Sequence, residues 1–164
     1  QCGWFDCSDA GGGVYVITAT ATISECEIYD NTSPQDGGGL FLYNSPSTLA
    51  HNTISNNTAN FGGGLYLSDS DATLETNIVS DNSALQWGGG MEIFRSNATL
   101  TGNTITNNTS GGHGGGLFVY VSKHPVITGN TISGNTSDRN GGGLYMNNAD
   151  AEVHGNTINR HYRK

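Results

Sequence analysis

An all-β solenoid of about six short coils is the fold this sequence predicts, and three observations carry the prediction. Triple glycines begin at Gly11, Gly37, Gly62, Gly88, Gly114 and Gly141, at intervals of 26, 25, 26, 26 and 27 residues, a period at which a repeat means one supersecondary unit stacked on its neighbours. After each triplet the chain places an apolar residue, usually an aromatic one, and another apolar residue: Val14–Tyr15–Val16, Leu40–Phe41–Leu42, Leu65–Tyr66–Leu67, Met91–Glu92–Ile93, Leu117–Phe118–Val119 and Leu144–Tyr145–Met146. Only 12% of the residues are charged and 25 are glycine, a composition that also suits a disordered chain. Disorder, however, gives no reason to keep Leu, Ile and Val in phase across six repeats.

Taken in order, residues 1–10, with Trp4 and Phe5 between Cys2 and Cys7, lie outside the repeat and read as an irregular capping segment that leads into the first coil. Residues 11–159 read as the solenoid, and 160–164 as a basic tail. Each coil reads as three short alternating strands separated by turns, most clearly in coil three, where GGGLYLS is followed by ATLET and NIVSDNSA. In the first strand the inward columns are Val14, Leu40, Leu65, Met91, Leu117, Leu144 and Val16, Leu42, Leu67, Ile93, Val119, Met146. The second strand supplies Ile23, Leu49, Leu74, Leu100, Ile127 and Val153, and the third Ile28, Ile54, Val79, Ile105, Ile132 and Ile158. Four inward aliphatic side chains cannot hold one coil alone, so stability has to be shared through stacking.

Asparagine marks the turns. Asn52, Asn77, Asn103, Asn130 and Asn156 precede the third strand; Asn31, Asn57, Asn82, Asn108 and Asn135 follow it. Stacked in register, these amides can bond to their copies above and below; alternatively, Asn simply tolerates the left-handed turn conformation. Cys26 holds the first of these positions in coil one.

The net charge of −8 argues against a nucleic-acid partner, which needs a basic surface. No apolar run approaches 18 residues, so no membrane span is expected, and the start lacks the basic-then-apolar pattern of a signal peptide, as in a mature protein or an excised segment. Cys2, Cys7 and Cys26 have no zinc spacing. Cys2 and Cys26 stand about one coil apart and form a candidate disulfide, with Cys2–Cys7 as the local rival. Glycosylation sequons begin at Asn31, Asn56, Asn97, Asn107, Asn108 and Asn135.

Outward positions of the first strand gather eight aromatics, Tyr15, Phe41, Tyr43, Tyr66, Phe94, Phe118, Tyr120 and Tyr145. They read either as cross-strand stacks favoured by β propensity or as an apolar face for another chain or a sugar ring. A corner column of Asp36, Phe61, Trp87, His113 and Asn140 precedes the glycines, and suits sugar stacking or shielding of the backbone. Outward Thr and Ser on the third strand, Thr53 with Ser55, Thr104 with Thr106 and Thr131 with Ser133, resemble an ice-binding array interrupted by Glu27, Tyr29 and Ile78. Catalysis would need carboxylates clustered with a basic group or flanking a cleft. Arg95 one coil from Asp69, and Lys123 one coil from Asp150, instead fit surface ion pairs. Asp69 with Asp71 is the remaining acid or calcium candidate. His51, His113, His124, His154 and His161 fall in different columns, so no imidazole ligand set, metal or cofactor is expected.

The phrases GGGLYL, NTISNNTA and NTISGNTS resemble the repeats of right-handed parallel β-helix surface proteins of the polymorphic outer-membrane protein type, over residues 11–159. The resemblance implies a single right-handed parallel β-helix at a cell surface or outside the cell, acting as a fibre or adhesin unit and not as an enzyme. A carbohydrate-binding or carbohydrate-cleaving β-helix is the alternative. The first 36 residues carry Asp6, Asp9, Glu25, Glu27, Asp30 and Asp36 with no Lys or Arg, whereas Arg160, Arg163 and Lys164 close the chain. Complementary ends predict head-to-tail stacking of copies into an open filament; excision from a longer β-helix is the competing reading. Lateral contacts between copies, and glycans, are the other partners to be tested against the aromatic face.

Overall fold

The structure, a computed structural model, describes residues 11–163; the leading segment 1–10 and Lys164 lie outside the described residues. The chain winds as a right-handed solenoid whose strands all pair in parallel. The first sheet stacks Val14–Ile17, Leu40–Tyr43, Leu65–Ser68, Met91–Phe94, Leu117–Tyr120 and Leu144–Asn147 in chain order. The second stacks the strands from Thr22–Ser24 to Glu152–His154, and the third those from Glu27–Tyr29 to Thr157–Asn159. All three predicted strands are present in every coil, in the predicted register: Val79 lies between Ile54 and Ile105, and Ile93 between Leu67 and Val119.

The count of three strands per coil needs one correction. A fourth sheet runs through Thr58–Phe61, Ser83–Trp87, Thr109–Ser110, Thr136–Ser137 and Tyr162–Arg163, and coil one joins it through single bridges from Thr32 to Thr58 and Asp36 to Phe61. Its inward column is small, with Ala59, Ala84, Ser110 and Ser137 all buried, so it leaves no aliphatic signature to read.

Four strands per coil require four corners, and each corner is turned by one residue in the left-handed region. Coil four turns at Gly88, Arg95, Gly102 and Asn107, with φ of 64, 51, 65 and 58°. The ladder asparagines are not these residues: Asn56 and Asn107 take the left-handed conformation and Asn57 and Asn108, one position later, point inward. The stacking reading therefore holds for the turn asparagines named from the sequence, and the left-handed alternative does not, since none of them has positive φ.

The inward amides build two continuous ladders. Asn103 Oδ1 accepts from the backbone N and the Nδ2 of Asn77 at 2.9 and 3.0 Å, while its own Nδ2 donates to Asn130 Oδ1 at 3.0 Å and to the Leu74 carbonyl at 2.9 Å. Asn82, Asn108 and Asn135 repeat the pattern at the next corner. A serine ladder that the sequence reading missed serves the corner after the first sheet, where Ser45 N donates to Ser70 Oγ at 3.0 Å and Ser70 N to Ser96 Oγ at 2.8 Å. These side chains supply partners to buried backbone groups where the sheets break, which is what lets the corners be dry.

The second asparagine ladder explains the last glycine of each triplet. A Cβ on Gly64 would lie 2.6 Å from the Gly90 carbonyl oxygen and 2.9 Å from the Asn82 amide carbon, closer than atoms pack. Glycine, ladder amide and the next coil's glycine are one packed unit. The core fills as predicted, with Leu40, Leu42, Leu74, Met91, Ile93, Leu100 and Ile105 fully buried. In coil six the same columns lie open: Met146 is 41% exposed, Val153 37% and Ile158 45%.

Candidate functional site

Alternation turns every second side chain of the first sheet away from the core, and parallel register sets each one coil, about 4.8 Å, from its copy. Tyr15, Phe41, Tyr66, Phe118 and Tyr145 form one such column, with Glu92 between Tyr66 and Phe118. Rings at that spacing stack: centroids are 5.2 Å apart for Tyr15 and Phe41, 5.6 Å for Phe41 and Tyr66 and 5.5 Å for Phe118 and Tyr145. In the neighbouring column Phe94 stacks on Tyr120 at 5.6 Å, and Tyr120 lies 5.8 Å from Phe118. The corner column packs on the first: Trp87 lies 5.4 Å from Phe118 and 5.3 Å from Phe61, and His113 stacks on Tyr145 at 4.5 Å.

This packing corrects the expectation of an open aromatic patch. Phe41 and Phe118 are 2% exposed; Tyr43, Tyr66, Phe94, Tyr120 and Tyr145 are half-buried, and only Tyr15, on coil one, is open. Rings one coil apart cover each other's faces, and the corner aromatics cover much of the remainder. Of the two roles considered for these residues, the mutual stack accounts for the burial of most of them.

Glu92 breaks the stack. It is 2% exposed and its Oε2 has no hydrogen-bond partner among the described residues. Burial, reinforced by the charge of Asp36, holds its carboxyl well above the usual carboxylate range. Asp36, half-buried at the corner, is pushed up to about 6 by burial. The Tyr66 phenol beside them is raised by burial first and then by Glu92 and Asp36. The cluster is therefore an acidic one that favours its neutral form, closed to solvent at Glu92. The signal was present in the sequence as the one acidic residue in an otherwise aromatic column.

The other candidates separate. Asp69 approaches Arg95 at 4.0 Å, but Lys123 and Asp150 form no ion pair among the described residues. Asp71 Oδ1 accepts from the Asn97 backbone N at 2.6 Å, so Asp69 and Asp71 face different partners. Glu25 and Glu27 are exposed on coil one, and Arg160 and Arg163 on coil six; Asp6, Asp9 and Lys164 lie outside the described residues. Cys26 is exposed, its Sγ donating to the Ser24 carbonyl at 3.2 Å, and both pairings considered for it and Cys7 involve Cys2, also outside the described residues. Asn108 and Asn135 are fully buried ladder members whose Nδ2 atoms donate to Val79 and Ile105 carbonyls, so the folded chain does not present their sequons. Asn31 Nδ2 is likewise engaged, with Asn57 and Tyr29; Asn56, Asn97 and Asn107 stand on the surface. His161 takes the place of the sixth amide in the second ladder, where burial lowers its pKa.

A family model described as right handed beta helix region matches residues 6–116, more than half of the chain, and one described as Chlamydia polymorphic membrane protein repeat matches residues 131–147. No curated protein and no solved structure matches the chain. The chain belongs to the right-handed beta helix family, with a repeat of the polymorphic membrane protein type spanning its fifth and sixth coils.

Proposed function

We propose that this chain is a structural β-helix displayed at a cell surface or secreted, and that copies of it stack head to tail. The match of residues 131–147 to a polymorphic membrane protein repeat supports the surface placement. A structural rather than a catalytic role draws support from the acidic cluster, because Glu92 is sealed beneath its neighbours and turned towards its neutral form.

The observation that carries the stacking is the likeness of the coils: all six repeat the same period, strand lengths and inward columns in parallel register. A coil of one copy therefore fits against a coil of another as well as against its own neighbours. Met146, Val153 and Ile158 on coil six belong to the columns that such a contact would bury. Charge leans towards the same partner: coil one exposes Glu25, Glu27 and Asp30 and carries no Lys or Arg, and coil six exposes Arg160 and Arg163 besides Asp150 and Glu152. Sedimentation velocity at low salt tests the reading. We expect concentration-dependent oligomers that shorten when Arg160 and Arg163 are both changed to Glu and when salt is raised; a single monomeric species at all concentrations rejects the assembly.

A further inference from the structure

Three of the six glycosylation sequons, at Asn31, Asn108 and Asn135, fall on the second amide ladder. Their placement has a local cause. Each ladder asparagine is followed by an outward Thr or Ser and then by a small inward residue of the fourth sheet. Coils two and three place Ala59 and Ala84 there, whereas coils one, four and five place Ser33, Ser110 and Ser137, all of them buried. A serine in that column completes Asn-x-Ser and an alanine does not. Core packing thus writes a modification signal onto residues that the fold needs unmodified.

At Asn108 the amide has nothing to spare. Its Nδ2 donates to the Val79 carbonyl at 2.9 Å and to Asn135 Oδ1 at 3.0 Å, while its Oδ1 accepts from the backbone N and the Nδ2 of Asn82 at 2.9 and 3.0 Å. Space is used up as well. A Cβ built on Gly90 would lie 2.8 Å from Asn108 Nδ2, and one on Gly116 2.7 Å from Asn135 Nδ2, so not even a methyl group fits beside either nitrogen. One residue earlier the situation reverses: Asn56 and Asn107 turn the chain with φ of 55 and 58° and stand exposed at the corner.

From this arrangement we infer that N-linked sugar transfer and folding exclude each other at Asn31, Asn108 and Asn135, and that the chain is made for export by a route without a sugar transferase of this kind. In the transfer, Nδ2 attacks the anomeric carbon of a lipid-diphosphate-linked oligosaccharide. A C–N bond forms, the C–O bond to the diphosphate breaks, and one amide proton leaves to a base of the transferase. The product amide keeps one hydrogen where the ladder at Asn108 uses two, and it carries a ring where the neighbouring glycine leaves no room. Transfer acts on the unfolded chain, in which Asn108 is as open as Asn107. A sugar on Asn108 therefore severs the ladder between coils three and five and leaves buried donors and acceptors without partners. Because each coil is held by its neighbours, the loss spreads beyond one coil. Asn56, Asn97 and Asn107 carry the same sugar outside the packed core and leave the fold intact. The export route rests on the surface placement proposed above; the exclusion at the ladder does not.

Translation of the full chain behind a cleavable secretion signal, with and without microsomes that hold the transferase, tests it once limited proteolysis has separated folded from unfolded product. Without microsomes the chain should be protease-resistant. With them, peptide mapping should find sugar on Asn56, Asn97 and Asn107 in resistant and sensitive fractions alike. Sugar on Asn31, Asn108 and Asn135 should be at least about tenfold enriched in the sensitive fraction. Ser33→Ala, Ser110→Ala and Ser137→Ala together silence the three ladder sequons and keep every ladder amide, and alanine already fills that column at Ala59 and Ala84. Ser110 Oγ has no hydrogen-bond partner to lose among the described residues. Made with microsomes, the triple variant should give about threefold or more resistant chain than the parent, and made without them it should match the parent. Because the assay supplies the compartment, the exclusion is tested apart from where the chain is displayed. Ladder sugars in the resistant fraction, no sugar on any ladder asparagine, or a triple variant that gains nothing over the parent overturns the inference.

Discussion

Replacing Asn103 with Ala removes one rung from the middle of the first amide ladder, and the cost can be worked from its contacts. The side chain makes four hydrogen bonds: two accepted from Asn77, one donated to the Leu74 carbonyl and one to Asn130. Asn77 Nδ2 keeps its bond to Leu49, and Asn130 Oδ1 keeps the Asn103 backbone N. The Asn77 backbone N–H loses the acceptor it has at this buried corner. An orphaned buried donor costs about 1–3 kcal/mol and each further lost bond about 1 kcal/mol, so the total is about 4–6 kcal/mol. For a chain of this size that lowers the melting temperature by about 10–20 °C. Circular-dichroism melts of Asn103→Ala against the surface control Gln86→Ala measure it. The neighbouring pair sharpens the test: Asn107→Gly, at a left-handed surface position, should change stability by less than about 0.5 kcal/mol, whereas Asn108→Gly should cost as much as the loss at Asn103. If Asn103→Ala melts with the control, the ladder is ornament and the reasoning fails.

Three further outcomes follow from the same geometry. Gly64→Ala places a methyl against the Gly90 carbonyl and the Asn82 amide and should cost several kcal/mol in a denaturant titration, far more than an ordinary strand Gly→Ala. Leu74→Asp buries a carboxyl among fully buried aliphatics and should destabilise by several kcal/mol; a parent-like melt would reject the inward assignment. Because Asp36 and Glu92 hold their protons more tightly folded than unfolded, their contribution is full below the ordinary carboxylate range and is lost as pH rises through their raised folded values, about 6 for Asp36. Melting temperature should therefore fall between pH 4 and 8, and Glu92→Gln should flatten that fall; a parent that grows more stable over the range contradicts the burial of Glu92.

The legible and illegible parts of this sequence divide along physical lines. Columns of Leu and Ile at a fixed period announced the core, because burying aliphatics in register leaves a periodic trace that no other arrangement gives. Asn57, Asn108 and their copies announced their positions but left two roles open, since the residue that turns the chain and the residue that bonds inward sit side by side and can both be Asn, as in Asn56–Asn57 and Asn107–Asn108. The fourth sheet left no trace: Ala59, Ala84 and Ser110 line it because the space there is narrow, and small residues also populate turns. Ser45, Ser70 and Ser96 went unread for the same reason. The exposure of Phe41 and Phe118 was misjudged because strand alternation reveals only which way a side chain leaves the sheet. What covers it there, a neighbouring ring or Trp87 from the corner, depends on three-dimensional packing.

Cryo-electron microscopy of the chain at high concentration and low salt tests the central claim most directly. Six coils at about 4.8 Å each predict filaments with an axial repeat of about 29 Å, in which coil one of each copy continues coil six of the next and buries Met146, Val153 and Ile158. Single six-coil particles, or copies joined side by side with coil six left bare, would contradict it.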